Sequence, residues 1–204
     1  DWAAAGLAGF GKPGNYFGRQ LDRWTRQYRA SQTGHVERIE RLIETLPLSL
    51  PEQGSTTIIH GDYRLDNVLF APASPTIVAV LDWELSTLGD PLADFAYLAM
   101  NWVLPVDGQA GLEGADLPSL GIPSLDDIVS QYCARTGRDG LPELDWLFAY
   151  NMFRLIGIIQ GVVARAAGGN AASEDAHELA TRLPILAERA CYHASRAEAG
   201  QSGR

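Results

Sequence analysis

The sequence predicts an α+β fold that is mostly helical, with a small β-hairpin at its chemical centre. Three observations carry this. Apolar residues recur at helical spacing over most of the chain outside residues 56–94. β-branched and apolar runs at residues 56–59, 68–70 and 76–81 are short and confined to one stretch. That stretch also holds His60-Gly61-Asp62-Tyr63-Arg64-Leu65-Asp66-Asn67 and Asp82-Trp83-Glu84, two acidic motifs attached to strand-like runs.

In chain order, Gly9-Phe10-Gly11-Lys12-Pro13-Gly14 matches G-x-G-x-x-G, but residues 1–8 contain no β-run to precede a phosphate loop, so the match reads as a loop. Residues 15–29 form an amphipathic helix, with Phe17, Leu21, Trp24 and Tyr28 on one stripe and Arg19, Arg23 and Arg26 opposite, as a solvated face. Val36, Ile39, Ile43 and Leu46 mark a second helix that Pro47 ends. The run 76–81 is nearly continuous in apolar residues, as buried strands are. Ala71-Pro72-Ala73-Ser74-Pro75 supplies turn residues between it and residues 68–70.

Asp90 is a plausible N-cap with Pro91 at the first helical position, starting a helix to about Trp102. Residues 104–123, rich in Gly and Pro, read as a long loop, and long loops are often functional. Residues 124–136 read as a helix ended near Gly137. Residues 143–167 form the longest helix, apolar on most sides and so buried, with Asn151, Arg154 and Gln160 as polar exceptions. Their polar groups bond or cap neighbouring elements. A final Ala-rich helix at 173–197 is kinked or broken at Pro184, and residues 198–204 read as a frayed tail.

The hairpin implies a geometry. With its turn centred between Ser74 and Pro75, Asn67 lies directly opposite Asp82, and opposed side chains share a face about 5 Å apart. A carboxylate and an amide oxygen can then hold one cation, leaving positions for water or phosphate oxygens, the arrangement expected for Mg2+. Asp62, five residues before Asn67, is close but not obviously a ligand, which suits a general base.

Composition narrows the partners. A chain of 204 residues can bury a full core, and 46% hydrophobic content is ordinary for a globular protein. The net charge of −9 argues against a nucleic-acid footprint or an anionic-membrane binder. Cys133 and Cys191 form no Cys-x-x-Cys pattern, so a reducing cytoplasm fits, and the apolar run 155–164 is too short to cross a bilayer. No secretory segment is visible. A start at Asp1 rather than Met suggests an excised piece.

The ordered motifs resemble the catalytic core of the protein-kinase-like superfamily: His-x-Asp, four residues, Asn, then an Asp 20 residues after the first. Gly61, Asp-Trp-Glu and Gly89-Asp90-Pro91-Leu92-Ala93-Asp94 are more specifically similar to the aminoglycoside phosphotransferase and choline kinase family. Within it, the string is most similar to the phosphotransferase domains associated with acyl-CoA dehydrogenases. The resemblance implies Asp62 as catalytic base, and Asn67 and Asp82 as ligands of the Mg2+ that accompanies ATP. It implies that Arg64 neutralises the transferred phosphoryl group, that His60 braces the loop from the core side, and that Asp94 holds catalytic-loop backbone. A surface ion pair is the competing role for Arg64.

Such an enzyme carries a glycine-rich loop and a strand lysine in an N-terminal lobe. Lys12 is the only lysine, and it sits inside the loop match. The expectation is therefore that residues 1–204 are a C-terminal lobe, inactive alone, whose N-terminal nucleotide-binding lobe is a missing partner. The whole protein would move the γ-phosphoryl of ATP to a hydroxyl of a small molecule, for which a hydroxyacyl-CoA-type metabolite and an aminoglycoside are alternatives. Asp107, Glu113 and Asp116 are the acids that would favour a polycation, and Arg154 favours an acyl group with phosphates. Two further readings remain: a metal-dependent phosphoesterase using His60, Asp62 and Asp82, and a degenerate domain that binds nucleotide or partner without turnover. His35, His177 and His193 are not in ligand-like spacing for the former.

Overall fold

The computed structural model describes residues 1–106, 111–168 and 173–202, without the side chains of 173–175 and 201–202. The fold is α+β, with two compact units, residues 1–16 with 53–141 and residues 17–52 with 142–204.

In the first unit, β1 (Thr57–Ile59) pairs antiparallel with β4 (Thr87–Gly89), Ile58 opposite Leu88. Ile59 and Leu88 are core residues. Gly89 is required by packing, since a Cβ there would meet Ile59 Cδ1 at 2.6 Å. Gly11 packs likewise, its would-be Cβ 2.5 Å from Thr87 Oγ1 and 2.8 Å from Leu88 N, so within residues 9–14 it is Gly11 that fits against a strand, while Gly9 and Gly14 meet nothing within 4 Å.

The second sheet is the hairpin of β2 (Val68–Phe70) and β3 (Ile77–Val80). Its register corrects the expected one. Ala71 N–H donates to Thr76 O across the loop, which centres the turn one residue earlier than expected, and Phe70 faces Ile77. An irregularity between Leu69 and Phe70 then shifts the pairing to Leu69 with Ala79 and Val68 with Val80. Asn67 consequently faces Leu81, whose N–H donates to Asn67 O at 2.8 Å, and not Asp82. The strand is also not buried: Ile77 and Val78 are 50% and 62% exposed, because nothing among the described residues covers a sheet of only two strands.

Asp90, 1% exposed, accepts the N–H of Leu92 at 2.9 Å and so caps α3 (Leu92–Ala99), with Pro91 already helical. The helix tightens to a 3-10 turn at Met100–Val103 instead of remaining α to Trp102. Ser124 starts α4 (Leu125–Thr136) with a reciprocal capping box to Asp127, and Gly137 ends it at φ 69.

In the second unit, α1 (Tyr16–Ser31) buries Phe17, Leu21, Trp24 and Tyr28. α2 (Glu37–Thr45) passes into a 3-10 turn at Leu46–Ser49 that contains Pro47. Arg29 and Glu40 pair α1 with α2 through two hydrogen bonds, one of 2.6 Å. α5 (Leu144–Ala167) is buried along most of its length, and Phe17 sets its edge on Trp146 and Tyr150. By length and composition α5 could cross a bilayer, but 72% of its most apolar window is buried, as in a core helix. Gln160 Nε2 donates to Ser31 O at 2.9 Å, capping the end of α1. α6 (Ser173–Ser202) has 30 residues, so it and not α5 is the longest helix. It is not broken at Pro184 and takes up most of the expected tail; Gly203 and Arg204 lie outside the described residues. Packing against α5 and α2 holds it despite the proline. His193 Nδ1 donates to Asp145 Oδ1 at 2.6 Å, and Arg196 adds Nε at 3.1 Å, clamping α6 to α5.

Candidate functional site

The two acidic motifs lie in the first unit, and one histidine ties them together. His60 is buried at the end of β1, and its ring bonds in two directions: Nε2 donates to Leu81 O at 2.6 Å, and Nδ1 accepts the Asp62 N–H at 3.2 Å. These partners fix the tautomer with its proton on Nε2. The Leu81 peptide is thus held by the Asn67 carbonyl on one side and His60 on the other, so the residue that follows it, Asp82, starts from a fixed backbone. Trp83 rests against His60 with ring centroids 4.8 Å apart and donates its indole N–H to Val80 O. Sequence reasoning gave Trp83 no task; its place directly after Asp82 is the only signal.

Asp94, at the start of α3, accepts the N–H of His60 at 2.6 Å and of Gly61 at 2.9 Å. Both bonds are charge-assisted and end on successive backbone amides. Gly61 has φ 83, and a Cβ there would lie 2.5 Å from Leu85 O, so the turn that delivers Asp62 needs glycine for conformation and for space.

Asn67 is buried and donates Nδ2 to Asp62 O at 2.9 Å and to Asp62 Oδ2 at 3.2 Å. Its amide spends both N–H groups on Asp62, leaving Oδ1 as an acceptor, the end a cation would use. Asp82 takes the left-handed conformation, φ 58 and ψ 51, rare outside glycine but more frequent for Asp and Asn. Its carboxylate is exposed and makes no hydrogen bond or ion pair among the described residues. An exposed carboxylate without a protein partner and a buried amide oxygen left as an acceptor are both oxygen donors of the kind magnesium takes, with water or phosphate oxygens in its remaining positions. Among the described residues no three His, Cys, Asp or Glu side chains gather as a metal cage.

Arg64 is exposed and ion-paired with Asp66. Burial works against its charge, but Asp66, Tyr97 and Asp62 outweigh that and raise its pKa above the ordinary value. Of the loop acids, Asp107 lies outside the described residues, Glu113 is exposed, and Asp116 accepts from Ser119 N in a local turn.

The chain has relatives of known family and one of known structure. The crystal structure of a Ralstonia eutropha protein assigned as an aminoglycoside phosphotransferase superposes with a TM-score of 0.90 at 42% identity, over 96% of this chain and 60% of that one. Acyl-CoA dehydrogenase family member 10 of Mus musculus is 42% identical over 192 residues, 93% of this chain. Family member 11 of Homo sapiens is 38% identical over 184 residues, 89% of this chain. The chain spans 18% and 24% of the lengths of these two relatives. Residues 1–147 match the phosphotransferase enzyme family, and the chain belongs to that family.

Proposed function

We propose that the protein containing this chain transfers the γ-phosphoryl group of ATP to a hydroxyl of a small molecule, with a hydroxyacyl-CoA-type metabolite as acceptor. The observation that carries the reading is the hydrogen-bonded linkage of Asp62, Asn67, His60 and the backbone of Leu81, the residue that precedes Asp82. Asp62 is the general base. Asn67 holds its Oδ2, which turns the other carboxylate oxygen to the acceptor hydroxyl, and that oxygen takes the proton as the hydroxyl oxygen attacks phosphorus and ADP leaves. Asn67 Oδ1 and Asp82 would hold Mg2+, which supplies positive charge against the phosphate oxygens when bound. Arg64 would exchange its exposed pairing with Asp66, a weak interaction at a surface, for the transferred phosphoryl group. Catalysis of this kind rests on positioning and electrostatics, and the clamp of Asp94 on the His60-Gly61 backbone serves the first.

The chain would act as a C-terminal lobe, with an N-terminal nucleotide-binding lobe as its partner and no turnover without it. Two observations support this: the matched crystal chain is longer than this one, which covers 60% of it, and the hairpin exposes a dense set of apolar side chains. Leu69, Phe70, Ile77, Val78 and Leu81 are each more than 40% exposed, an arrangement suited to being covered. The preference for an acyl acceptor over a polycationic drug rests on relatives named as acyl-CoA dehydrogenase family members.

The test is Asp62→Asn in the full-length protein. Mg-ATP binding should persist while turnover falls by about 10²–10⁴-fold, the usual size of a general-base contribution. Near-normal turnover would remove the base assignment. ATP consumption with hydroxyacyl-CoAs and with kanamycin-type drugs decides the acceptor, and turnover of the drugs alone would overturn it.

A further inference from the structure

The residue that follows Asp82 is held as firmly as the one before it. Trp83 donates its indole N–H to Val80 O at 2.9 Å, a bond that reaches back three residues and closes a ring of chain around Leu81 and Asp82. The indole lies against the His60 ring, with centroids 4.8 Å apart and planes tilted by 51°. His60 takes the next carbonyl, donating Nε2 to Leu81 O at 2.6 Å. Two rings in contact therefore hold the two successive carbonyls that lead into Asp82. On its far side, Ser86 N–H donates to Trp83 O at 3.0 Å.

Asp82 needs such support. It is left-handed, at φ 58 and ψ 51, a region that Asp tolerates where its short side chain bonds to nearby backbone. Here the carboxylate caps nothing and makes no hydrogen bond or ion pair among the described residues. The bonds that fix the Asp82 backbone belong to its neighbours instead. Leu81 is held by Asn67 O and His60, whereas the Trp83 bond spans Asp82 itself. Trp83 is also 50% exposed, so core packing among the described residues does not account for so large a side chain there.

We propose that Trp83 is a positioning residue for Asp82: its indole N–H, anchored on Val80 O, holds Asp82 left-handed, the conformation in which the carboxylate stands clear of the protein as a ligand for a divalent cation. The use of that cation rests on the phosphotransferase reading; the conformation rests on the hydrogen bonds alone. A phenylalanine can lie against His60 as well, but it has no N–H to give Val80.

The test is the affinity of the full-length protein for Mn2+, titrated by electron paramagnetic resonance with a non-hydrolysable ATP analogue present. Trp83→Phe keeps a ring for His60 and removes the donor. It should weaken Mn2+ binding about fivefold, the effect of one net hydrogen bond, because Asp82 then holds its pose for a smaller fraction of the time. In steady state the KM for magnesium should rise by the same factor while kcat at saturating magnesium is retained, since bound cation restores the pose. Amide exchange should quicken at Leu81 and Ser86, whose N–H groups are bonded on either side of Asp82, and not at His60 and Gly61, which Asp94 clamps. A merely structural loss would quicken all four. Benzothienylalanine at position 83 puts sulfur in place of the N–H and keeps the shape; it carries the same expectations and decides the question if Trp83→Phe does not fold. Unaltered Mn2+ affinity in both replacements, a fall in kcat with no change in the KM for magnesium, or equal quickening at all four amides overturns the proposal. A wild type that binds no Mn2+ removes the phosphotransferase reading and the cation role together, whereas a wild type that binds it no better than both replacements removes the positioning role alone.

Discussion

Asp94→Asn probes the clamp beneath the candidate catalytic loop. The carboxylate takes two backbone N–H groups, from His60 at 2.6 Å and Gly61 at 2.9 Å, and both residues are buried. Asparagine keeps one carbonyl oxygen and turns an amide N–H₂ toward the other donor, so one bond is lost and the survivor is no longer charge-assisted. A hydrogen bond to a charged group contributes about 1.5–3 kcal/mol, and a buried donor left unsatisfied costs about 1–3 kcal/mol, which together give a loss of about 2.5–6 kcal/mol. Because one tenfold step is about 1.4 kcal/mol, local opening at His60 and Gly61 should become at least about sixtyfold more frequent. Residue-resolved amide hydrogen exchange measures this, with Asp66→Asn as the control, since Asp66 is exposed and, among the described residues, pairs with Arg64 at the surface. Exchange at both amides within about threefold of wild type would refute the reasoning, which equates bond geometry with loop stability.

Asp82→Ala in the full-length protein should lower magnesium-dependent nucleotide affinity more than Asn67→Ala, because the carboxylate carries the charge; titration with and without magnesium checks the order, and the reverse order removes Asp82 as the main ligand. Asp145 gives the pH dependence. Burial pushes its carboxyl up, but hydrogen bonds from His193 and Arg196 outweigh burial and hold its pKa below the ordinary value. A lowered folded-state value means stabilisation that is fully present above the unfolded carboxylate's pKa of about 4 and is lost as pH falls through the folded value. Urea unfolding should therefore show wild type losing more stability below about pH 4 than Asp145→Asn, and parallel curves would contradict it.

What could be read from the sequence was what depends on spacing along the chain. His60, Asp62, Asn67 and Asp82 carry their pattern locally, and Ser124 with Asp127 and Gly137 announce both ends of α4. What was misread depends on partners far away. Thr87–Gly89 has no strand-like composition and becomes β4 only because β1 offers Thr57–Ile59 to pair with. The hairpin register turned on one extra residue in β3, and no turn signal between Ala71 and Thr76 reports a bulge two residues further on. The apolar run in β3 reads as a buried strand, yet apolarity reports an affinity for cover, and the described residues provide none. Pro184 does not break α6 for a complementary reason: local propensity costs a helix a fixed amount, whereas packing along its 30 residues accumulates.

The hairpin also bears on the chain as a material. A sheet of two strands has an open edge on each side, and β2 and β3 each offer unpaired backbone groups flanked by Phe70, Ile77 and Val78, without a lysine, a proline or a charge between residues 77 and 81 to discourage pairing. Edges of this kind template strand addition by another copy, and an isolated two-stranded ribbon resists it poorly. The proposed N-terminal lobe, if it covers the hairpin, would therefore act as a solubility element too, and the uncovered hairpin is a nucleus for edge-to-edge association.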